Sequence, residues 1–427
     1  MSKVLRSAEQ SRSSRGDRLA VTGFVISVVF ICLCAGFAVA AFQLPPYARL
    51  RQLMDIAADA AIHWRNEFGL RPTRSLVAAP SSRARGVVSA PGRAVPGYRL
   101  VAGFAVERST TIGALLFDVA GNEIHFWPID YALLDPDGPR PRNVFVHGVA
   151  ALRDGSLVVN FDEGRVIARV DACGDIVWVT RGAFHHTVFR SHDGTLWSLK
   201  GRMLVQLDAE TGTQLREISL VDDIIEQKGL QGMFGMHGAT DEHELKFKGD
   251  AFHLNDIEIL GPEEAGAFPQ FRAGDIMLSL RSVNLVVILD GTTLDLRWWS
   301  NGPWHRQHDP DFLPDGTIAV FNNNMGVGAS DITVIDPRTR ESHRAFAGSP
   351  ERPFYSYQRG KHQALAHGHW LITETERGRA FEVDADGAVV WEFNNYFDEA
   401  SNGYVSKAIH LPEDFYGSAV PSCTRRE

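Results

Sequence analysis

The chain has 427 residues, 44% of them hydrophobic and 22% charged, a balance ordinary for a globular protein but long for one domain unless the fold is a large sheet architecture or a repeat array. Its formal net charge of -9 argues against nucleic acid as a partner, because phosphate binding needs a basic face. Of the four cysteines, Cys32 and Cys34 lie in an apolar run, and Cys173 and Cys423 show neither CxxC nor Cys/His spacing, so no cysteine metal site is predicted. Cys173 and Cys423 can pair in an oxidising compartment, and two free thiols fit the sequence equally well.

Residues 1–18 are polar and basic, with Lys3, Arg6, Arg12, Arg15 and Arg18 against Glu9 and Asp17. The stretch 19–44 is apolar and uncharged, long enough to span a bilayer as a helix. Basic residues before it and a large domain after it predict a single-pass signal anchor, with a cytoplasmic N-terminal tail and the C-terminal domain in the periplasm or outside the cell. Ala38-Val39-Ala40 resembles a cleavage site, so a removed signal peptide is the alternative. Pro45 and Pro46 end the helix. Tyr47 to Phe68 has apolar residues at helical spacing, and the Pro-, Ser-, Arg- and Gly-rich stretch from Arg71 to Pro96 reads as a linker, making 45–95 a juxtamembrane helix and linker.

From Pro96 the pattern changes to short apolar runs between Gly, Asp and Asn turns. Aligned by eye they form about six units, starting at Pro96, Asp154, Asp193, Ala273, Asp315 and His367, each a turn with Gly, then strands, a tight turn and a strand often ending in Trp. That repeat predicts an all-β fold, a six-bladed β-propeller over 96–412 followed by a C-terminal tail, 413–427. The polar stretch from Val221 to Asp250 interrupts the repeat and predicts an excursion over one face. Trp178, Trp299 and Trp391 hold equivalent positions and are expected to pack between blades.

Four consecutive units carry a histidine ahead of the turn: His147, His186, His253 and His308. A propeller can aim this segment at its axis, but spacing alone leaves structural and chemical roles open. His362, His367 and His369 lack a carboxylate at fixed spacing, so no metal site is expected there. Alternation turns Glu374 to the sheet face opposite Thr373, and Asn322, Asn323 and Asn324 read as turn residues at a strand end.

Four segments, FHLNDIEIL, LSLRSVNLVVILD, QHDPDFLPDGTIAVFNN and LITETERGRAFEVDADGAVVWEF, together resemble the bacterial arylsulfate sulfotransferases. The resemblance runs from Pro96 to Pro412 and is strongest from Phe252 onward. It implies a six-bladed propeller with its site at the central channel, a periplasmic setting, and transfer of a sulfuryl group from an aryl sulfate to a phenol without a nucleotide donor or other cofactor. Residue by residue, it implies His308 as the nucleophile that becomes a sulfohistidine. His253 and Asn255 would contact sulfate and phenol, Arg281 the sulfate oxygens, and Thr373 the sulfuryl group. His186 is the choice for a further site histidine, with His147 and His185 as rivals.

The chemistry suits these residue types. The oxygens of a sulfate ester repel anionic nucleophiles, which a neutral imidazole avoids, and covalent capture splits one hard transfer into two steps. Guanidinium and imidazole donors stabilise the charge that develops, and His253 or His186 can protonate the departing phenolate. Members of the family with an extra N-terminal strand-rich domain use it to dimerise; here an anchor and short helix stand in its place, which leaves a homodimer open. Two other readings fit the sequence: a non-catalytic ligand-binding or scaffolding propeller, and a quinone-dependent dehydrogenase, which would need a calcium-binding carboxylate cluster not evident here.

Overall fold

An uncharged apolar run becomes helical from its own backbone hydrogen bonds, and in the computed structural model one helix extends from Ser2 to Ala41. The structure describes the chain apart from residue 1, much of 43–84, and residues 107, 139–143, 235–249, 351 and 424–427. The chain divides into two units, 1–74 and 75–427. In the first, Ala20–Ala41 is 22 residues long with a mean hydropathy of 2.7 and no buried share, enough by length and composition for a membrane anchor or a signal sequence. The helix expected over Tyr47–Phe68 falls largely outside the described residues.

The second unit is all-β and propeller-like, with seven antiparallel sheets among the described residues. Six hold four or five strands. The first sheet takes Tyr98–Phe104, Ile112–Phe117 and Glu123–Ile129, and the C-terminal strand Val405–Leu411 joins it beside Tyr98–Phe104. The second sheet runs Phe145–Ala151, Leu157–Asp162, Val166–Val170 and Ile176–Arg181, and the third Phe184–Arg190, Leu196–Lys200, Met203–Leu207 and Gln214–Ser219. The fourth comprises Leu254–Ile259, Ile276–Leu280, Leu285–Leu289 and Leu296–Ser300; the fifth, His308–Phe312, Ile318–Asn322, Asp331–Ile335 and Ser342–Ala347. The sixth comprises Lys361–Ala364, Trp370–Glu374, Arg379–Val383 and Val389–Asn394, edged by Gly86–Ser89. A small seventh sheet joins Leu76–Ala78, Tyr396–Asp398 and Ser401–Gly403. The linker reading of 71–96 is therefore corrected: its backbone finds ladder partners at two sheet edges.

Alternation explains why these strands read as continuous apolar runs. In Leu157–Asp162, Leu157, Val159 and Phe161 face the first sheet's cluster, while Val158 faces that of the third. Every apolar cluster draws on two neighbouring sheets, and one joins Val101, Phe117 and Val405 of the first sheet to Leu371, Ala380 and Trp391 of the sixth. Tryptophans bridge neighbours through Nε1: Trp127 donates to the Gly155 carbonyl (2.9 Å), Trp178 to Ala209 (3.0 Å) and Trp298 to Pro337 (2.9 Å). Trp299 corrects the sequence reading. It is 41% exposed, because alternation along Leu296–Ser300 gives the inward position to Trp298.

The repeat read from sequence missed one strand per sheet. The histidine segments do not precede the first strands; they are the first strands or abut them, as in Phe145–Ala151 and His308–Phe312. Polar side chains and Pro310 hid the strand period there. The excursion from Val221 begins as a π-helical turn over Leu220–Glu226, whose Leu220, Ile224 and Ile225 are buried with the third and fourth sheets.

Two covalent or ionic ties reinforce the ends of the unit. Cys173, in a turn of the second sheet, is disulfide-bonded to Cys423, with Cα atoms 4.9 Å apart across 250 residues of sequence. Arg99 on the first sheet and Glu382 on the sixth form a fully buried ion pair. Glu382 also accepts from the Val95 N–H (2.8 Å) and meets His369 Nδ1 (2.8 Å). Removing one partner leaves a buried charge alone, which costs about 3–5 kcal/mol. Glu382→Ala should therefore lower the urea-unfolding free energy by about that amount, and an unchanged midpoint would show that the pair does not latch these sheets.

Candidate active site

A regular strand sends successive side chains to its two faces, so a residue can be aimed along the sheet edge only where the ladder breaks. The first strands of sheets two to five all break register: between Val146 and Val149, His185 and Val188, Leu254 and Asp256, and His308 and Asp311. His147, His186, Asn255 and Asp309 lie in those breaks. His186, His253 and Asp309 have positive φ (63°, 49° and 51°), a backbone state that non-glycine residues hold only when their surroundings impose it.

The re-aimed histidines meet. The His147 and His186 rings lie 4.1 Å apart between centroids, and those of His186 and His308 stack at 6.5 Å. His185 Nδ1 is 2.6 Å from His186 Nδ1, and His186 Nε2 is 3.2 Å from His253 Nε2. The ends of this chain are acceptors: His185 Nε2 meets the Gly201 carbonyl at 3.0 Å, and His253 Nδ1 meets the Asp250 carboxylate. Four contacts need four protons, and three neutral rings carry only three. One ring is thus an imidazolium when all four bonds form. Burial pushes the pKa of His185 down and that of His186 well below its ordinary value. His253 is the ring of the three that meets a carboxylate, Asp250.

His308 is 3% exposed, and its Nδ1 lies 2.8 Å from Asn323 Oδ1. Burial drives its pKa well down despite that bond, and Arg281 and Lys361 add to the fall, so the imidazole is neutral at pH 7. Burial likewise takes His147 down to about 3.

Arg281 follows the strand Ile276–Leu280, and its N–H donates to the His253 carbonyl (3.0 Å). Its side chain is buried; Nη2 lies 3.7 Å from Met325 Sδ, and Nε has no hydrogen-bond partner. Among the described residues no carboxylate lies within ion-pair distance of it. Burial lowers its pKa, and Arg306 and Arg359 add to the effect. A buried guanidinium without a counter-ion is a site for an anion.

Below His308 the channel-facing strands carry a dense ionic group. Lys361 Nζ bridges Asp309 (2.9 Å) and Asp256 (3.0 Å), and the His362 N–H donates to Asp309 (2.6 Å). Burial raises Asp309, but Lys361 and His362 outweigh it and hold the carboxyl well below its ordinary range. Asp309, Asp311 and His362 are close enough to hold a metal ion, though the Lys361 ammonium already supplies a cation against Asp309. His362 thus meets aspartates of the fifth sheet, not His367 and His369.

The structure brings together His147, His185, His186, His253 and His308, with Arg281 bonded to the His253 backbone. Asn255 and Thr373 sit as buried braces: Asn255 Nδ2 donates to the Gln307 carbonyl (2.9 Å), and Thr373 Oγ1 accepts from the Ala408 N–H (2.9 Å). Sequence reasoning missed Asn323 and Thr375. Both immediately follow the second strand of their sheets, as Arg281 does in the fourth. Thr375 is 1% exposed, and its hydroxyl lacks a hydrogen-bond partner. That shared offset from the strand end was the available signal.

The family model described as Arylsulfotransferase (ASST) matches residues 148–396. No curated protein matches. Among solved structures, a protein of unknown function from Bacteroides caccae is similar at 11% identity and a TM-score of 0.49, over 74% of this chain and 98% of that one. Virginiamycin B lyase from Staphylococcus aureus is similar at 12% identity and a TM-score of 0.34, over 58% and 69%. BamB from Moraxella catarrhalis is similar at 12% identity and 0.31, over 74% and 76%.

Inorganic sulfate should stabilise the protein through Arg281, by about 1.4 kcal/mol at ten times its Kd. Thermal melts in sulfate and in chloride at equal ionic strength should differ for the wild type and coincide for Arg281→Met. Equal shifts in both proteins would place the anion elsewhere.

Proposed function

The chain belongs to the arylsulfotransferase (ASST) family, and we propose that it moves a sulfuryl group from an aryl sulfate ester to a phenolic acceptor in two steps through His308. The observation that carries this reading is the pairing of a neutral, buried imidazole with a buried guanidinium that has no carboxylate within ion-pair distance among the described residues. The first supplies a nucleophile that does not repel sulfate; the second supplies charge that an incoming sulfate would neutralise. His308 attacks sulfur, the aryl oxygen leaves, and His253, held against Asp250, acts as the general acid that gives it a proton. In the second half the acceptor phenol returns that proton and takes the sulfuryl group from the sulfohistidine. In this reading Arg281 binds the sulfuryl oxygens, with His186 and His147 completing a polar wall. Asn255 and Thr373 contribute by holding backbone.

The fold we propose is a six-bladed propeller spanning 96–412, which the pairing of first and sixth sheets through one apolar cluster supports. The Cys173–Cys423 disulfide fits an oxidising compartment, and the apolar N-terminal helix fits a single-pass anchor with the catalytic unit on the periplasmic or outer side.

Purified protein should turn over a nitrophenyl sulfate with added phenol and show a burst of nitrophenolate as His308 takes up the group. His308→Ala should lower kcat by about a thousandfold or more without moving the melting temperature. A wild-type protein with neither turnover nor a sulfuryl adduct on His308 would sink the proposal.

The low pKa of His308 sets the pH dependence. A histidine at the usual 6.5 would be only about a tenth neutral at pH 5.5. Because burial holds the His308 pKa well below the usual value, the burst rate with a nitrophenyl donor should fall less between pH 7.5 and 5.5 than it would for an exposed histidine. A tenfold fall over that range would mean that His308 titrates as an exposed histidine does.

A further inference from the structure

A neutral imidazole is a nucleophile at one nitrogen only, the one without a proton, so whichever group fixes the tautomer also chooses the attacking atom. On the transfer chemistry proposed above, we propose that Asn323 is the positioning residue that holds His308 as the Nδ1–H tautomer and so makes Nε2 the atom that bonds to sulfur.

The side-chain amide of Asn323 has its orientation dictated by its neighbours. Its Nδ2 donates to two backbone carbonyls, Ser356 at 2.7 Å and Arg359 at 2.6 Å. Turning the amide over would set its oxygen against both carbonyl oxygens. Oδ1 is therefore the atom that faces His308 Nδ1 at 2.8 Å, and an amide oxygen only accepts. The opposite tautomer would put two lone pairs against each other and leave a proton on Nε2, where the attack must occur. Asn323 is itself fully buried, and the Ser330 hydroxyl lies 3.1 Å from its backbone carbonyl. The tautomer is thus fixed by a buried bracket made of backbone from the sixth sheet's approach segment, 356–359.

The bracket serves both half-reactions. In the first, the Nε2 lone pair forms the N–S bond while the S–O bond breaks and its electron pair leaves with the aryl oxygen. The ring then carries a positive charge, and its Nδ1–H makes a stronger, charge-assisted bond to Asn323 Oδ1. In the second, the acceptor oxygen bonds to sulfur, the N–S electron pair returns to Nε2, and Nδ1 keeps its proton throughout.

The test uses full-length protein labelled with ¹⁵N-histidine, the His308 signals being identified by their loss in His308→Ala. Wild-type shifts should report a protonated Nδ1 and an unprotonated Nε2; the reverse pattern in a folded protein overturns the inference without any variant. Asn323→Ala should show a mixture of tautomers and form the His308 adduct about 10²- to 10⁴-fold more slowly, with donor KM nearly unchanged. Asn323→Asp also accepts from Nδ1–H, though its second oxygen would face the Ser356 and Arg359 carbonyls, so it should restore the tautomer and only a small part of the rate. Its negative charge should raise the pH at which His308 protonates, a signature that a packing role would not give. An Asn323→Ala protein with the wild-type tautomer, or with the wild-type adduct rate, overturns the proposal. If the tautomer depends on Asn323 as described but no protein forms an adduct, the positioning role stands and the sulfuryl-transfer reading fails.

Discussion

Apolar packing between each sheet and the next is the constraint on which the rest of this protein depends. The clusters are built from strands buried on both faces, and one of them joins the first sheet to the sixth. Only when those two meet do the innermost strands of sheets two to six, and the C-terminal strand beside Tyr98–Phe104, face one another. The Arg99–Glu382 pair sits at that junction, with Val95 and His369 meeting the same carboxylate. Burying two opposite charges together gives a bond that is strong against breakage, though it adds little over an apolar pair of equal volume. Its value is in specifying which sheets meet.

Within that frame the site is made by departures from regularity. Four successive innermost strands lose register, at His147, His186, Asn255 and Asp309. The positive φ at His186, His253 and Asp309 stores strain that the surrounding packing enforces. Burial then does chemical work. It keeps His308 neutral, and it raises the cost of leaving Arg281 without an anion.

An ionic group next to His308 ties the fourth, fifth and sixth sheets together. Lys361 joins Asp256 of the fourth sheet to Asp309 of the fifth, and His362 meets the same aspartate. Asp309 follows the proposed nucleophile directly, so fixing its carboxylate fixes the backbone that carries His308. Asn255 does the same from the other side through the Gln307 carbonyl. Residues that resemblance assigns to substrate can thus act one bond removed from it, through the main chain.

The all-β class, the repeat and the N-terminal apolar helix were legible in the sequence because each rests on local pattern: period-two runs between glycine turns, and an uncharged stretch of membrane length. The recurrence of His147, His186, His253 and His308 in successive units was legible too, and the structure brings these rings together. Other features were not. The innermost strands hid because bulges, Pro310 and polar side chains erase the period of two, and Trp299 stood in for Trp298 because one residue of register exchanges the faces of a strand. Asn323 read as a turn residue, since nothing local reveals that its amide is held by carbonyls more than thirty residues away. Local sequence decided which segments become strands and which carry imidazoles. Tertiary packing alone decided which imidazoles meet and which burial keeps neutral, because those properties come from burial and from partners distant in the chain.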